Sequence, residues 1–345
     1  MLPNTCKNLL AVALFSCSLF NPAYAQTSAT LLQKINNKIA FQQYRDAIAD
    51  LDKLIQAGVD KADLSTALFY RGKAKEGIKL HKEAVVDYNA AIKADKNNVE
   101  AINYRGISYF EMQQYTEALK NFEDALKKNS TYLDAYKNRG HTLFKLNNYK
   151  DALVDLDKVV LADHEAVDAL YIRGNIKKAI NDFTGAMLDY NKAIEIDENA
   201  TDAYLFRSDL KMAMGNAKGA LADLNDAAEI EDHNELVYYN RALVKIFLKD
   251  LKGASKDLLE LLEYNPDYVY AHYHLGMIRF KSGDYKSCIK HLTKAIELND
   301  TDPAFFLQRG LAKQKSADKS GACIDLIKSS KMGNPEAVLL AKACK

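Results

Sequence analysis

The sequence predicts an all-α fold assembled from repeated antiparallel helix pairs. Three observations predict it: an Arg-Gly dipeptide that returns at a fixed step of 34 residues, alanine-rich columns that keep the same step, and apolar residues spaced three and four apart inside each period. Proline, which interrupts helices, occurs only 5 times in 345 residues, so little stands in the way.

The first column is the small residue of that dipeptide. Gly72, Gly106, Gly140 and Gly174 are continued at the same step by Ser208, Ala242, Gly276 and Gly310. Twelve residues further comes Ala84, Ala118, Ala152, Ala186, Ala220, Ala254, Cys288 and Ala322. A third row, seven residues on, is mostly alanine, as at Ala91, Ala125, Ala193, Ala227 and Ala295. Between the first two rows stand Tyr115, Tyr149, Phe183 and Tyr285. Within one period Tyr115, Ala118, Leu119, Phe122, Ala125 and Leu126 fall on one face of a helix. A single helix pair cannot cover such a face, so pairs must stack. Small side chains let the backbones approach where packing is tightest. Leucine in place of Gly106 or Ala118 is expected to overpack the site, at about 1–3 kcal/mol.

These aligned columns resemble the tetratricopeptide repeat over residues 28–336. The repeats are placed at 28–64, 65–98, 99–132, 133–166, 167–200, 201–234, 235–268, 269–302 and 303–336. The first is degenerate: Tyr44 and Ala47 fit, but Ala47 to Ala84 spans 37 residues, which reads as a three-residue insertion near 56–63. The resemblance implies a right-handed superhelix over 26–336, about nine repeats, with a capping helix at 337–345 to shield its open end.

The resemblance also implies a partner site in a concave groove lined by the first helix of each repeat. Carried over by position, the groove residues are Phe69, Asn103, Phe110, Lys137, His141, Phe144, Tyr171, Asn175, Lys178, Tyr239, Tyr273, Met277 and Phe280. Lys73, Ile107, Leu205, Met212, Leu243, Ile246 and Tyr270 belong to the same row. Its middle mixes lysine and asparagine with aromatics and loosely resembles the carboxylate-gripping clamps of some members, without their full pattern. Two readings of the row stay open: an exposed face for a helix or extended peptide, or side chains that pack repeat on repeat.

Arginine precedes the small residue in most repeats, and an acid follows sixteen residues later on the second helix. The pairs are Arg71 with Asp87, Arg139 with Asp155, Arg173 with Asp189, Arg207 with Asp223, Arg241 with Asp257 and Arg309 with Asp325. Arg105 faces Asn121, and where Leu275 replaces the arginine, His291 replaces the acid. The first repeat is expected to pair Lys34 with Asp50. Columns that change together point to a structural ladder within each repeat, fixing geometry more than stability.

The first 25 residues differ from the rest. Lys7 leads into the apolar run 9–15, and Ala23-Tyr24-Ala25 offers small residues to a signal peptidase, so 1–25 is expected to be a secretory signal cleaved before Gln26. Cys17, after Leu14-Phe15-Ser16, weakly resembles a lipoprotein cleavage box and makes a lipid anchor the alternative. The expected location is therefore exported: periplasm, cell envelope or secreted. Cleavage would leave Cys288, Cys323 and Cys344. Cys288 occupies the alanine column and reads as an inert core thiol. Cys323 and Cys344 are expected to form a disulfide that pins the cap.

Nothing in the sequence supplies chemistry of its own. No Walker loop, GxSxG elbow, HExxH or paired CxxC occurs. His272 and His274 lie two apart on a helix and point in different directions, so no metal site is expected there. No cofactor and no catalytic residue is assigned. With 47 Lys+Arg against 46 Asp+Glu the charge is balanced, which argues against a nucleic-acid partner. The expected function is a non-catalytic scaffold for a protein or peptide partner. A regulatory or adaptor subunit of an envelope enzyme or secretion complex is the alternative.

Overall fold

The computed structural model describes residues 22–344. All regular structure among them is helical. The expected signal segment, with Cys17, lies outside the described residues apart from 22–25, whose backbone opens the first helix. The chain divides after His164 into two compact units, Met1–His164 and Glu165–Lys345.

The first unit holds α1 (Pro22–Ala40), α2 (Tyr44–Ala57), α3 (Lys61–Gly77), α4 (His81–Ala94), α5 (Val99–Glu111), α6 (Tyr115–Lys128), α7 (Leu133–Lys145) and α8 (Tyr149–Ala162). The second holds α9 (Val167–Ala179), α10 (Phe183–Ile196), α11 (Thr201–Ala213), α12 (Ala217–Ile230), α13 (Glu235–Phe247), α14 (Leu251–Tyr264), α15 (Val269–Lys281), α16 (Tyr285–Leu298), α17 (Pro303–Lys315), α18 (Lys319–Lys331) and α19 (Pro335–Leu340). Within each unit every helix packs on the next, and first helices of neighbouring repeats touch, as α3 with α5 and α9 with α11. Each unit is thus an α-solenoid of helix pairs stacked in chain order.

The turn inside each pair has one design. A residue with φ near +60 to +80° follows the first helix at Lys79, Gln113, Asn147, Asn181, Gly215, Lys249, Gly283 and Ala317. The next N–H then reaches back to the first helix, as from Asn148 to the Leu143 carbonyl at 2.9 Å and from Asp250 to the Lys245 carbonyl at 2.8 Å. This closure satisfies carbonyls the helix end would leave orphaned. Turns between pairs rest on an acid or amide whose side chain accepts from the backbone two residues on. Asn129 accepts from Thr131 at 3.0 Å and Asn299 from Thr301 at 2.9 Å.

The columns form the core. Ala84, Ala118, Ala152, Ala186, Ala220, Ala254 and Cys288 are fully buried. Opposite the small residue of each first helix lies a large one of the second: Tyr88, Phe122, Leu156, Tyr190, Leu224, Leu258, Leu292 and Leu326.

The insertion between the first two repeats lengthens α3 rather than the loop. α3 has 17 residues where the other first helices from α5 onward have 13, and Asp60 caps its extra turn by accepting from Asp63 N–H at 2.8 Å. At the other end, where a capping helix is expected over 337–345, the described residues to 344 are divided between α19 and a 3₁₀ turn at Ala341–Cys344. Asn334 caps α19 and Pro335 opens it. Cys344 is bonded to Cys323 of α18.

Candidate functional site

The Arg–Asp columns meet inside each repeat, through a fork matched to the carboxylate. Arg139 Nε and Nη2 donate to Asp155 at 2.7 Å each, and Arg241 donates to Asp257 at 3.1 and 2.9 Å. Arg71–Asp87, Arg173–Asp189, Arg207–Asp223 and Arg309–Asp325 repeat the geometry. The carboxylates are buried, Asp257 to 1 % exposure.

Two further arms escaped the sequence reading. A lysine one turn after the arginine reaches the same carboxylate: Lys75 at 2.6 Å, Lys177 at 2.8 Å, Lys211 at 2.7 Å, Lys245 at 2.7 Å and Lys313 at 2.8 Å. This column corrects the first repeat, where Lys38, not Lys34, bonds Asp50 at 2.6 Å. Lys38 occupies the lysine column, from which an ammonium reaches the second helix. The third arm is the arginine Nη1, which crosses to the preceding repeat: Arg105 to Asn89 at 2.6 Å, Arg207 to Asn191 at 2.8 Å and Arg309 to Thr293 at 3.2 Å. In the departing repeat, His291 meets His272, Nδ1 to Nδ1, at 3.2 Å, while His274 turns to the Tyr239 hydroxyl at 3.3 Å.

The thirteen groove residues are half-buried or buried; none is exposed. Most pack within a repeat or onto the next. Phe69 lies 5.3 Å from the Tyr104 ring, Phe110 4.6 Å from His141, Tyr171 5.5 Å from Phe206 and Tyr273 5.1 Å from Phe305. Phe144 and Phe280 lean on Tyr149 and Tyr285, and Met277 is half-buried on the same face. Asn103 accepts from Asn138 at 3.2 Å, and Asn175 accepts the Tyr190 hydroxyl at 2.7 Å. Lys178 pairs with Asp209, and Lys137 with Asp134 at 3.5 Å. The lysines and amides of the clamp-like stretch are therefore engaged with the chain itself. Burial, helped by Lys145, lowers His141 to about 4.

One register governs these contacts. The fifth residue of a repeat meets the sixth of the next: Phe69 with Tyr104, Asn103 with Asn138, Tyr171 with Phe206, Tyr239 with His274. Between α11 and α13 that pair is Leu205 and Asn240. Neither carries a ring, and both line a cavity of about 600 Å³. Its walls are Leu205, Phe206 and Met212 of α11, Leu224 of α12, and Leu236, Leu243, Val244 and Phe247 of α13. Leu236 and Phe247 stand at its mouth, 57 % and 66 % exposed. Asp202 and Asp209 complete the wall. Asp202 also lines a neighbouring cavity of about 420 Å³ with Asp168, Tyr171, Asp197 and Glu231. The sequence reading named Leu205, Met212 and Leu243 but missed Leu236 and Phe247. The spacing of 236, 240, 243 and 247 along one helical stripe carried the signal.

Tetratricopeptide-repeat family models match residues 106–147, 167–199, 236–268 and 269–302. The last three fall on the repeats read from the columns. This is a tetratricopeptide repeat protein. Repeats of this kind serve in general as scaffolds for protein or peptide partners. Among solved structures, the chain is similar to a tetratricopeptide repeat protein from Parabacteroides merdae ATCC 43184, at 20% identity, 70% of this chain, 94% of the other and a TM-score of 0.57. It is also similar to MamA from Desulfovibrio magneticus RS-1, at 22% identity, 51% and 98% coverage and a TM-score of 0.44. YrrB, a TPR protein described as having an unusual peptide-binding site, matches at 22% identity, 55% and 97% coverage and a TM-score of 0.41. No curated protein matches. Among the described residues no helix is long and apolar enough to cross a membrane, and no group of side chains could hold a metal ion.

Proposed function

We propose that this tetratricopeptide repeat protein is a non-catalytic scaffold that holds a peptide or protein segment on the first-helix face of residues 201–268. The observation that carries the reading is the apolar cavity between α11 and α13. At four other junctions the corresponding side chains meet, whereas here an apolar space of about 600 Å³ opens beside exposed Leu236 and Phe247. A concave apolar space with a few polar groups at its edge is the form that ligand sites usually take. The signal-like first 25 residues support an exported, envelope-located scaffold, and a mature terminus at Gln26 in the purified protein is the expected result.

The test uses the chain's own register. Leu205→Tyr with Asn240→His copies the Tyr239–His274 pair into the cavity and fills it. Peptides selected from a random display library on residues 26–345 are expected to bind the parent and to lose affinity at least tenfold for this double variant, with helicity unchanged. Equal binding to the filled variant refutes the placement.

A further inference from the structure

The carboxylates around the cavity give its occupant a chemistry. The two adjoining cavities are lined by Asp168, Asp197, Asp202, Asp209 and Glu231, and by no lysine, arginine or histidine. Lys178 meets Asp209 from outside the lining. In the free protein Glu231 works against Asp202. Burial, and then the charge of Glu231, holds the Asp202 carboxyl above its usual range, although the Tyr171 hydroxyl that donates to it acts the other way. Burial raises Tyr171 as well, helped by Asp202 and Asp168. An arriving cation would relieve that repulsion, and because Asp202 and Glu231 are both exposed it reaches them from solvent.

An inorganic cation is a poor candidate, since no group of side chains among the described residues has the arrangement to hold one. The apolar wall beside Asp202 asks instead for a cation joined to an apolar body. Resting on the groove reading above, we infer that the occupant is a basic amphipathic segment. One bulky apolar side chain enters the cavity between α11 and α13, and a lysine or arginine beside it reaches Asp202 and Glu231. Lysine and arginine suit this edge because their stems lie on apolar surface while the charged head reaches the carboxylates. The inference reverses the sign expected from the lysine-bearing, clamp-like stretch of the sequence: the partner contributes cations, and does not present a carboxylate.

The experiment is a display selection on residues 26–345, followed by titration of synthetic copies of the enriched peptides. The inference expects Leu, Phe or Met flanked within two positions by Lys or Arg. Replacing those basic residues by glutamine, or the protein's Asp202 by asparagine together with Glu231 by glutamine, is expected to weaken binding roughly threefold to tenfold, because the attraction between opposite charges is lost. Raising the salt from 50 to 500 mM should weaken the parent more than the Asp202→Asn, Glu231→Gln variant. Peptides that lose affinity for the filled Leu205→Tyr, Asn240→His variant but not for Asp202→Asn, Glu231→Gln overturn this inference and leave the scaffold reading standing. So does enrichment of acidic or uncharged peptides. Concentration-dependent dimerisation abolished by Phe247→Ala makes a second copy of this chain the occupant and also overturns it. No selected peptide sensitive to filling the cavity overturns both readings.

Discussion

The contact between the small residue of each first helix and the large residue of its second helix yields a sharp prediction. At Gly106 an added Cβ would lie 2.6, 2.9 and 3.0 Å from Cε1, Cζ and Cδ1 of Phe122. Phe122 is 1 % exposed, so its ring has no free space to enter. At Gly310 the Cβ would meet Leu326 Cγ at 3.0 Å and the Ala322 carbonyl at 3.2 Å, which a few tenths of an ångström relieve. The protein already tolerates a Cβ in this column, since Ala242 shares a buried cluster with Leu258 and Ser208 is buried at the same step. Alanine gains about 1 kcal/mol over glycine in a helix interior at either position. Overpacking costs about 1–3 kcal/mol. Gly106→Ala is therefore expected to destabilise by up to about 2 kcal/mol, and Gly310→Ala, with the smaller clash, to be neutral or slightly stabilising. Phe122→Leu should convert the first case into the second, with a coupling of about 1–3 kcal/mol in the double-mutant cycle. Solenoid unfolding need not be two-state, so native-state hydrogen exchange of amides in α5 and α6 is the assay. Equal effects of the two glycine substitutions, or no rescue by Phe122→Leu, would refute the reasoning.

Other consequences are read the same way. The buried Tyr88 hydroxyl has no hydrogen-bond partner, whereas Tyr190 in the same column donates to Asn175 at 2.7 Å. Tyr88→Phe is expected to gain up to about 1 kcal/mol and Tyr190→Phe to lose about 1 kcal/mol, and urea midpoints ranked the other way would contradict this. Burial lowers His141 and His291 to about 4, from an ordinary value of 6.5, so between those limits the unfolded chain binds more protons. Their stabilisation is complete above pH 6.5 and disappears as the pH falls through 4, by about 2 kcal/mol each after allowing for partial exposure. His141→Gln should flatten that limb of the melting-temperature profile; an unchanged slope counts against it. Reducing Cys323–Cys344, which closes a separation of 21 residues, should cost about 3 kcal/mol and loosen α19 first. Proteolysis of the reduced protein that begins elsewhere would contradict the pinning role.

The fold was legible because its physics is periodic. A helix pair that must nest against its neighbour needs a small residue at one point, and Gly72 through Gly310 announce that point at a constant step. The left-handed turn residue was less legible, since Lys79, Gln113 and Lys249 occupy a conformation that glycine and asparagine favour. Only Asn147, Asn181, Gly215 and Gly283 marked that column chemically. The lysine arm of the ladder was written at arginine plus four, but its partner lies sixteen residues from the arginine, and no local rule joins three such positions. The residues assigned to the groove lie on first helices, yet position alone did not say which were covered. That depends on the sixth residue of the next repeat, which lies 35 residues away in the chain and in contact in space.

The ladder and the ring row divide the work of each repeat between two sides. On one side a buried carboxylate gathers an arginine and, in most repeats, a lysine from the first helix, while the arginine's remaining arm holds the second helix of the preceding repeat. Buried pairs of this kind add little net stability because desolvation offsets the attraction, but they strongly oppose any other register. With register fixed there, the opposite face need not contribute to it, and its fifth and sixth residues can change without moving a helix. Rings at those positions close the face, as Tyr171 and Phe206 do, and an amide pair closes it at Asn103 and Asn138. Leucine against asparagine, at Leu205 and Asn240, leaves it open. A binding cavity in this architecture therefore requires no departure from the repeat, only a fifth and a sixth residue that can neither stack nor hydrogen-bond with each other. The same argument gives the converse: any repeat whose ring pair is cut back to leucine and asparagine should acquire a cavity at the equivalent place, with the ladder beneath it undisturbed.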